Sequence, residues 1–229
     1  MTSYESQTRN IPAPDHEFGW AGGNLALDFA NTVGGTHRTP THDHLQGYGD
    51  VVRFAVDAGA LSAAAAERLK ARAAKEPRRA AAVLELGVAL RESIYGVFSA
   101  LAGGEGPTES DLALIGDAAA AGAARSRLVY DKEGLAWSVP PDVDDLERPL
   151  WAIARSATDL LMSSERDRVR ECASDTCAWV FLDHSRNRSR RWCDMRDCGN
   201  REKARRFQKR RRSTPAEGHV NETQAEARA

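Results

Sequence analysis

The chain has 229 residues, 41% of them hydrophobic, which suits one ordinary domain with a small appendage. It carries no apolar run of the roughly eighteen residues needed to cross a bilayer and no apolar segment behind a basic start, so neither membrane insertion nor secretion is expected. The formal charge of -1 conceals a polarity: residues 186–212 hold 13 Arg or Lys against 3 acids, a net +10, whereas residues 1–185 sum to -9. A basic end on an acidic body points to a polyanion as partner for that end, and the lack of a secretory or membrane-spanning segment points to a cytoplasmic, reducing setting for the four cysteines.

Taken in chain order, residues 1–18 are polar, with Pro12 and Pro14, and read as a poorly ordered lead-in. In Asn24 to Val33, Leu25, Leu27 and Phe29 alternate like a strand while Leu25, Phe29 and Val33 also fit a helix, so periodicity does not arbitrate; a helix with Asn24 as its cap is the preferred reading. Gly34 to Gly49, with Pro40 and three histidines, reads as a loop. Asp50 is placed to cap a helix from Val51 to Ala58, Ser62 another to about Lys75, and Pro77 opens a long one to Gly103. Thr108 begins a further helix closing near Gly122. Arg127–Tyr130 and Leu135–Val139 flank a turn and form a hairpin, and a last helix runs from about Asp145 to Met162. The expected architecture is mainly α with a small β-hairpin, an α+β arrangement in which a helical domain over 19–165 precedes a small finger over 169–212 and a disordered tail over 213–229.

The four cysteines are Cys172-x4-Cys177, a fifteen-residue insert, and Cys193-x4-Cys198. Four thiolates fill a tetrahedron around one Zn2+ and leave no position for an activated water, so the spacing predicts a structural ion and no chemistry at it. Residues 169–212 are too few to hold themselves by apolar burial alone, and a metal is the expected staple. Within them Ala178–Leu182 reads as a strand, Asp183–Ser189 as a turn, Arg190–Trp192 as the returning strand and Gly199–Arg212 as a helix. Trp179, Phe181, Trp192 and Phe207 would form a miniature core, with Ala204 facing it too. Arginine engages phosphate and guanine bidentately, so Arg186, Arg188, Arg190 and Arg191 in the turn and Arg201, Arg205, Arg206 and Lys209 on the helix are the candidates for contacting DNA. A zinc-stabilised protein-interaction module, or an RNA binder, is the alternative.

Cys172-x4-Cys177-Ala-Trp-Val-Phe-Leu-Asp183, then Ser185-Arg-Asn-Arg188, then Arg190-Arg-Trp-Cys193-x-Met-x-x-Cys198-Gly199-Asn200-Arg201 resembles the CGNR zinc finger. Leu25-Ala-Leu-Asp-Phe-Ala-Asn-Thr32 resembles the ABATE domain that accompanies it. The resemblance implies a treble-clef-like finger that binds DNA, in a bacterial stress-linked transcription regulator whose upstream domain binds an unidentified small-molecule effector. Asn24, Asp28, Asn31 and Thr32 would line that ligand pocket; capping and buried hydrogen bonds explain the same residue types. A homodimer is expected from the two-fold symmetry of most operators.

Two further clusters carry polar chemistry. His37, His42, Asp43 and His44 include metal-capable types but read as a polar loop, and Arg91, Glu92 and Tyr95 on the long helix read as surface, with a place facing a pocket as the alternative. No serine-nucleophile elbow, phosphate-cradling glycine loop, His-Glu-x-x-His helix or dinucleotide fingerprint occurs, so the chain is not expected to be an enzyme.

Overall fold

The computed structural model describes residues 17–132 and 134–213; the expected lead-in up to residue 16 and the tail from residue 214 lie outside them. Helix α1 (Leu25–Ala30) starts where the Asn24 side chain accepts the Ala26 amide. It is followed by strands β1 (Val33–Thr36) and β2 (Thr39–Asp43), then by helices α2 (Tyr48–Asp57), α3 (Ala63–Lys75), α4 (Pro77–Gly103) and α5 (Glu109–Ala123). Strands β3 (Arg127–Asp131) and β4 (Gly134–Ser138) form a hairpin, and α6 (Arg148–Met162) closes the helical part. The remainder comprises a 3-10 turn at Ser164–Arg168, β5 (Val169–Glu171), β6 (Val180–Leu182), a π-helical turn at Met195–Gly199 and helix α7 (Asn200–Ser213). The protein is thus mainly helical, with three separate two-stranded antiparallel sheets among the described residues, and no described helix is long and apolar enough to cross a membrane.

The helix punctuation read from the sequence is used almost as written. Ser62 accepts the Ala65 amide, Thr108 accepts the Asp111 amide, Pro77 occupies the first turn of α4, and Gly104 ends that helix with φ of 80°. Asp50 differs. It lies inside α2, not at its head, and its carboxylate accepts the Gly47 and Gln46 amides, so the helix begins at Tyr48. The expected loop over 34–49 is also corrected, because it holds the β1–β2 hairpin. Glycine permits this: a Cβ on Gly34 would strike the His42 ring, and Gly35, at the irregularity in register, has φ of 80°.

Helix α4 spans about 40 Å at roughly 1.5 Å per residue and lies against the rest of the helical part. Its Val83, Leu90, Ile94, Val97 and Phe98 are buried in one core with Leu27 and Phe29 of α1, Val51, Val52 and Phe54 of α2, and Leu150, Ile153, Ala157 and Leu160 of α6. Each of these side chains except the small Ala157 contributes about 1.5–3 kcal/mol by leaving water. Helices α5 and α6 approach closely because Gly122 lies against Trp151, where a Cβ would come within 2.6 Å of the tryptophan Cβ. Val169, Val180 and Leu182 belong to this same core, so the β5–β6 sheet is seated on the helices.

Asp28 lies in the wall of this core, 8% exposed, with Oδ1 accepting the Gly22 amide at 2.7 Å. Burial pushes its pKa up from 3.8 to about 6, against the opposing pull of that hydrogen bond. A folded-state value above the unfolded one means that the neutral acid is favoured in the fold: its contribution is complete below the unfolded value and lost as pH rises through the folded one. Relative to an Asp28→Asn variant, wild-type stability is expected to fall by on the order of 2–3 kcal/mol between about pH 4 and pH 7. Urea denaturation of both proteins across that range measures the difference, and parallel profiles would remove the claim.

Candidate metal centre and nucleic-acid interface

Strands β5 and β6 pair with Val169 opposite Leu182 and Glu171 opposite Val180, so the first cysteine pair sits on the loop joining them. The ladder continues as Cys172 N–H donates to the Trp179 carbonyl, and Cys177 N–H then closes a tight turn onto Ser174. This corrects the expected hairpin, in which Ala178–Leu182 paired with Arg190–Trp192. The latter segment is not a strand. Asp183, fully buried, accepts the Ser185 and Arg190 amides and fixes the turn instead, while the Arg191 carbonyl accepts the Ala173 amide. The second pair, Cys193 and Cys198, flanks the π-helical turn that leads into α7.

All four cysteines are buried, and their Sγ atoms lie within 4.8 Å of one another. Cys177–Cys193 and Cys193–Cys198 are both 3.7 Å apart. Ligands about 2.3 Å from a central ion on a tetrahedron are about 3.8 Å apart, so the quartet has the dimensions of a Zn2+ site. The electrostatics agree. Without a cation, hydrogen bonds from Cys177 and then Cys193 drive the Cys172 pKa down to about 2, while their bonds to Cys172 push the Cys177 and Cys193 pKa values far up. One thiolate suppresses the others, and a divalent ion is what lets four coexist. Arg201 Nη2 donates to Cys198 Sγ at 3.1 Å and to Asp197, supporting the ligand from outside.

A match to the ABATE family, whose description reads "Putative stress-induced transcription regulator", covers residues 23–164. The chain belongs to the ABATE family. A match to the CGNR zinc finger follows over residues 168–211, so this ABATE protein carries one structural zinc on its four cysteines. A search of curated proteins finds no match.

The CGNR finger distributes its cations unequally. Arg186, Arg188, Arg191, Arg206 and Lys209 are exposed, and Arg188 holds a left-handed φ of 49° in the turn. Arg190 is spent on the finger: it lies 4.5 Å over the Phe181 ring and donates to the Trp192 and Cys193 carbonyls. Arg205 pairs with Asp175 at 2.6 Å and with Glu202 at 3.1 Å. The expected miniature core is half right. Phe181 is fully buried, with Trp179 and Trp192 packed around the cysteines, but Phe207 is 57% exposed and Ala204 is exposed. Glu202 alone among the α7 residues whose burial is described is buried; it anchors the helix near Ser174, and α7 beyond it projects into solvent.

The four residues proposed to hold a ligand are engaged by the protein itself. Asn24 caps α1 and accepts from Ser156; Asp28 holds Gly22; Thr32 donates to the Phe29 carbonyl. Asn31 clamps Val180, donating to its carbonyl at 2.9 Å and accepting its amide at 3.0 Å. With Trp179 Nε1 donating to the Val33 carbonyl at 2.8 Å, this clamp fastens the finger to the ABATE region.

The two polar clusters that were read as a loop and as helix surface converge into one buried network. Arg91, with no exposed area, grips Asp43 bidentately at 2.6 and 3.0 Å and donates from Nε to Glu92 at 2.8 Å. Glu92 meets His37 Nδ1 at 2.7 Å, and the His37 ring stacks on Tyr95 with centroids 3.5 Å apart. Burial works to raise the Glu92 pKa, but the His37 hydrogen bond and the Arg91 charge outweigh it and hold the group low. Both readings fail for the same reason: hairpin β1–β2 folds onto α4, and nothing local in either segment announces that meeting. Among the described residues only the cysteine quartet is grouped to hold a metal.

Proposed function

We propose that this ABATE protein is a cytoplasmic, non-catalytic transcription regulator whose CGNR finger binds duplex DNA. The observation that supports this reading best is the exposure of Arg186, Arg188, Arg191, Arg206 and Lys209 on a turn and helix positioned by one zinc site. Zinc fixes the turn against the root of α7, and the two elements together present cations to the phosphates. Regulation by a stress-linked effector, and a homodimer matching a two-fold operator, complete the reading.

Fluorescence anisotropy with a labelled duplex tests it. About four phosphate contacts give a log-log salt slope near -3.5, and removing Arg206 and Lys209 together should make it shallower by about 2. Binding indifferent to salt would overturn the proposal. The exposed Phe207 and Met195 favour a second reading, a docking module for a protein partner. A partner retained in a pull-down after nuclease treatment, together with no DNA binding by the purified chain, would select it.

A further inference from the structure

A cleft of about 450 Å³ lies where the ABATE region meets the first cysteine loop, and its volume falls in the usual range for small-molecule sites. Its walls come from both matched regions: His37 and Arg38 from the β1–β2 turn, Tyr95 and Ser99 from α4, Glu171 from β5, and the loop from Cys172 to Ala178 that carries two zinc ligands. Glu171 faces Ser99 Oγ at 2.5 Å and Tyr95 Oη at 3.4 Å, both of which donate to Oε2. His37 is 6% exposed, and its Nε2 has no hydrogen-bond partner among the described residues. A buried polar atom left without a partner is costly, and a donor supplied by a ligand would remove that cost.

The chemistry of the walls selects the ligand. His37 Nδ1 donates to the Glu92 carboxylate, which in the neutral ring leaves Nε2 as an acceptor. Glu171 and Asp175 add two carboxylates, and the hydroxyls of Ser99 and Tyr95 are already directed at Glu171. The cleft therefore presents acceptors and negative charge, with Arg38 the only cationic side chain in its lining. We propose that this cleft binds a small molecule bearing a primary ammonium or guanidinium group, held by Glu171, Asp175 and His37 Nε2. The occupant would touch the metal loop directly and would compete for Asp175 with Arg205, its partner at 2.6 Å. This deepens the regulator reading by giving it an effector site.

Titration calorimetry of the zinc-loaded full chain with 1,4-diaminobutane, 1,4-butanediol and succinate, at fixed ionic strength, tests the assignment. The diamine is expected to bind saturably, one per chain, and to slow hydrogen exchange at amides 173–178. Glu171→Gln keeps the side-chain shape and removes the charge, and should weaken diamine binding roughly tenfold or more. Asp175→Asn, at an exposed position where folding is not at stake, should weaken it roughly threefold or more. Absence of diamine binding, diol or succinate binding as tightly as the diamine, unchanged affinity in the variants, or exchange at 173–178 unaffected by the diamine would overturn it. Because no DNA is present in either measurement, failure of the cleft and failure of DNA binding are separately visible.

Discussion

Replacing Cys177 with serine is expected to empty the zinc site and release the first cysteine loop and the finger from residue 183 onward, while α4 and α6 keep their fold. The asymmetry follows from where apolar burial is found. Val169, Val180 and Leu182 are part of the helical core, whereas around the cysteines Phe181 is the one large apolar side chain that is fully buried, with Trp179 and Trp192 only partly so. A structural zinc supplies an apparent folding free energy of about 10–16 kcal/mol at neutral pH, far beyond what those few aromatic contacts contribute. Elemental analysis should fall from one zinc per chain to near zero. Hydrogen exchange should accelerate at 172–178 and across 190–211, with the amides of α4 unchanged. Retained zinc together with an unaltered exchange pattern would contradict the assignment.

Arg91→Met is expected to destabilise the helical core by about 3–5 kcal/mol, the usual consequence of stranding one partner of a buried ion pair. The Asp43 carboxylate, 1% exposed, would keep the Leu45 amide but lose both guanidinium bonds, and Glu92 would lose the bond that Arg91 Nε donates. Such a loss is a large share of the total stability of about 5–15 kcal/mol that a domain possesses. Removing both charges should be milder than removing one, so Arg91→Met combined with Asp43→Asn is expected to recover part of the loss. Guanidinium denaturation at constant free zinc checks both. A single variant within about 0.5 kcal/mol of wild type would show that the pair is not the internal strut its geometry describes.

Features whose cause is local were legible in the sequence. Caps at Asn24, Ser62 and Thr108, the Pro77 start and the β3–β4 hairpin each depend on a few neighbouring residues, and so does the paired spacing of the cysteines. What was hidden required two distant segments to meet. Val180–Leu182 pairs with Val169–Glu171 and not with the arginine-rich segment that follows it, because Asp183 turns the chain away. His37 and Glu92 are each ordinary in isolation, and only the docking of β1–β2 on α4 makes them a buried pair. Among the cations, composition gave the overall charge but not its division, since whether an arginine faces solvent or folds back, as Arg190 and Arg201 do, depends on carbonyls and sulfurs brought near by the fold of the finger.

The Asn31 carboxamide, which bonds both the N–H and the C=O of Val180, has a bearing on modularity. It occupies the outer edge of β6 as a third strand would, so a finger excised at residue 168 would leave that edge bare and uncover Val180 and Leu182 to water. A fragment cut there is a poor surrogate for the intact chain, prone to self-association through the stripped edge. Grafting this finger onto another carrier would call for an asparagine in the host at the equivalent place.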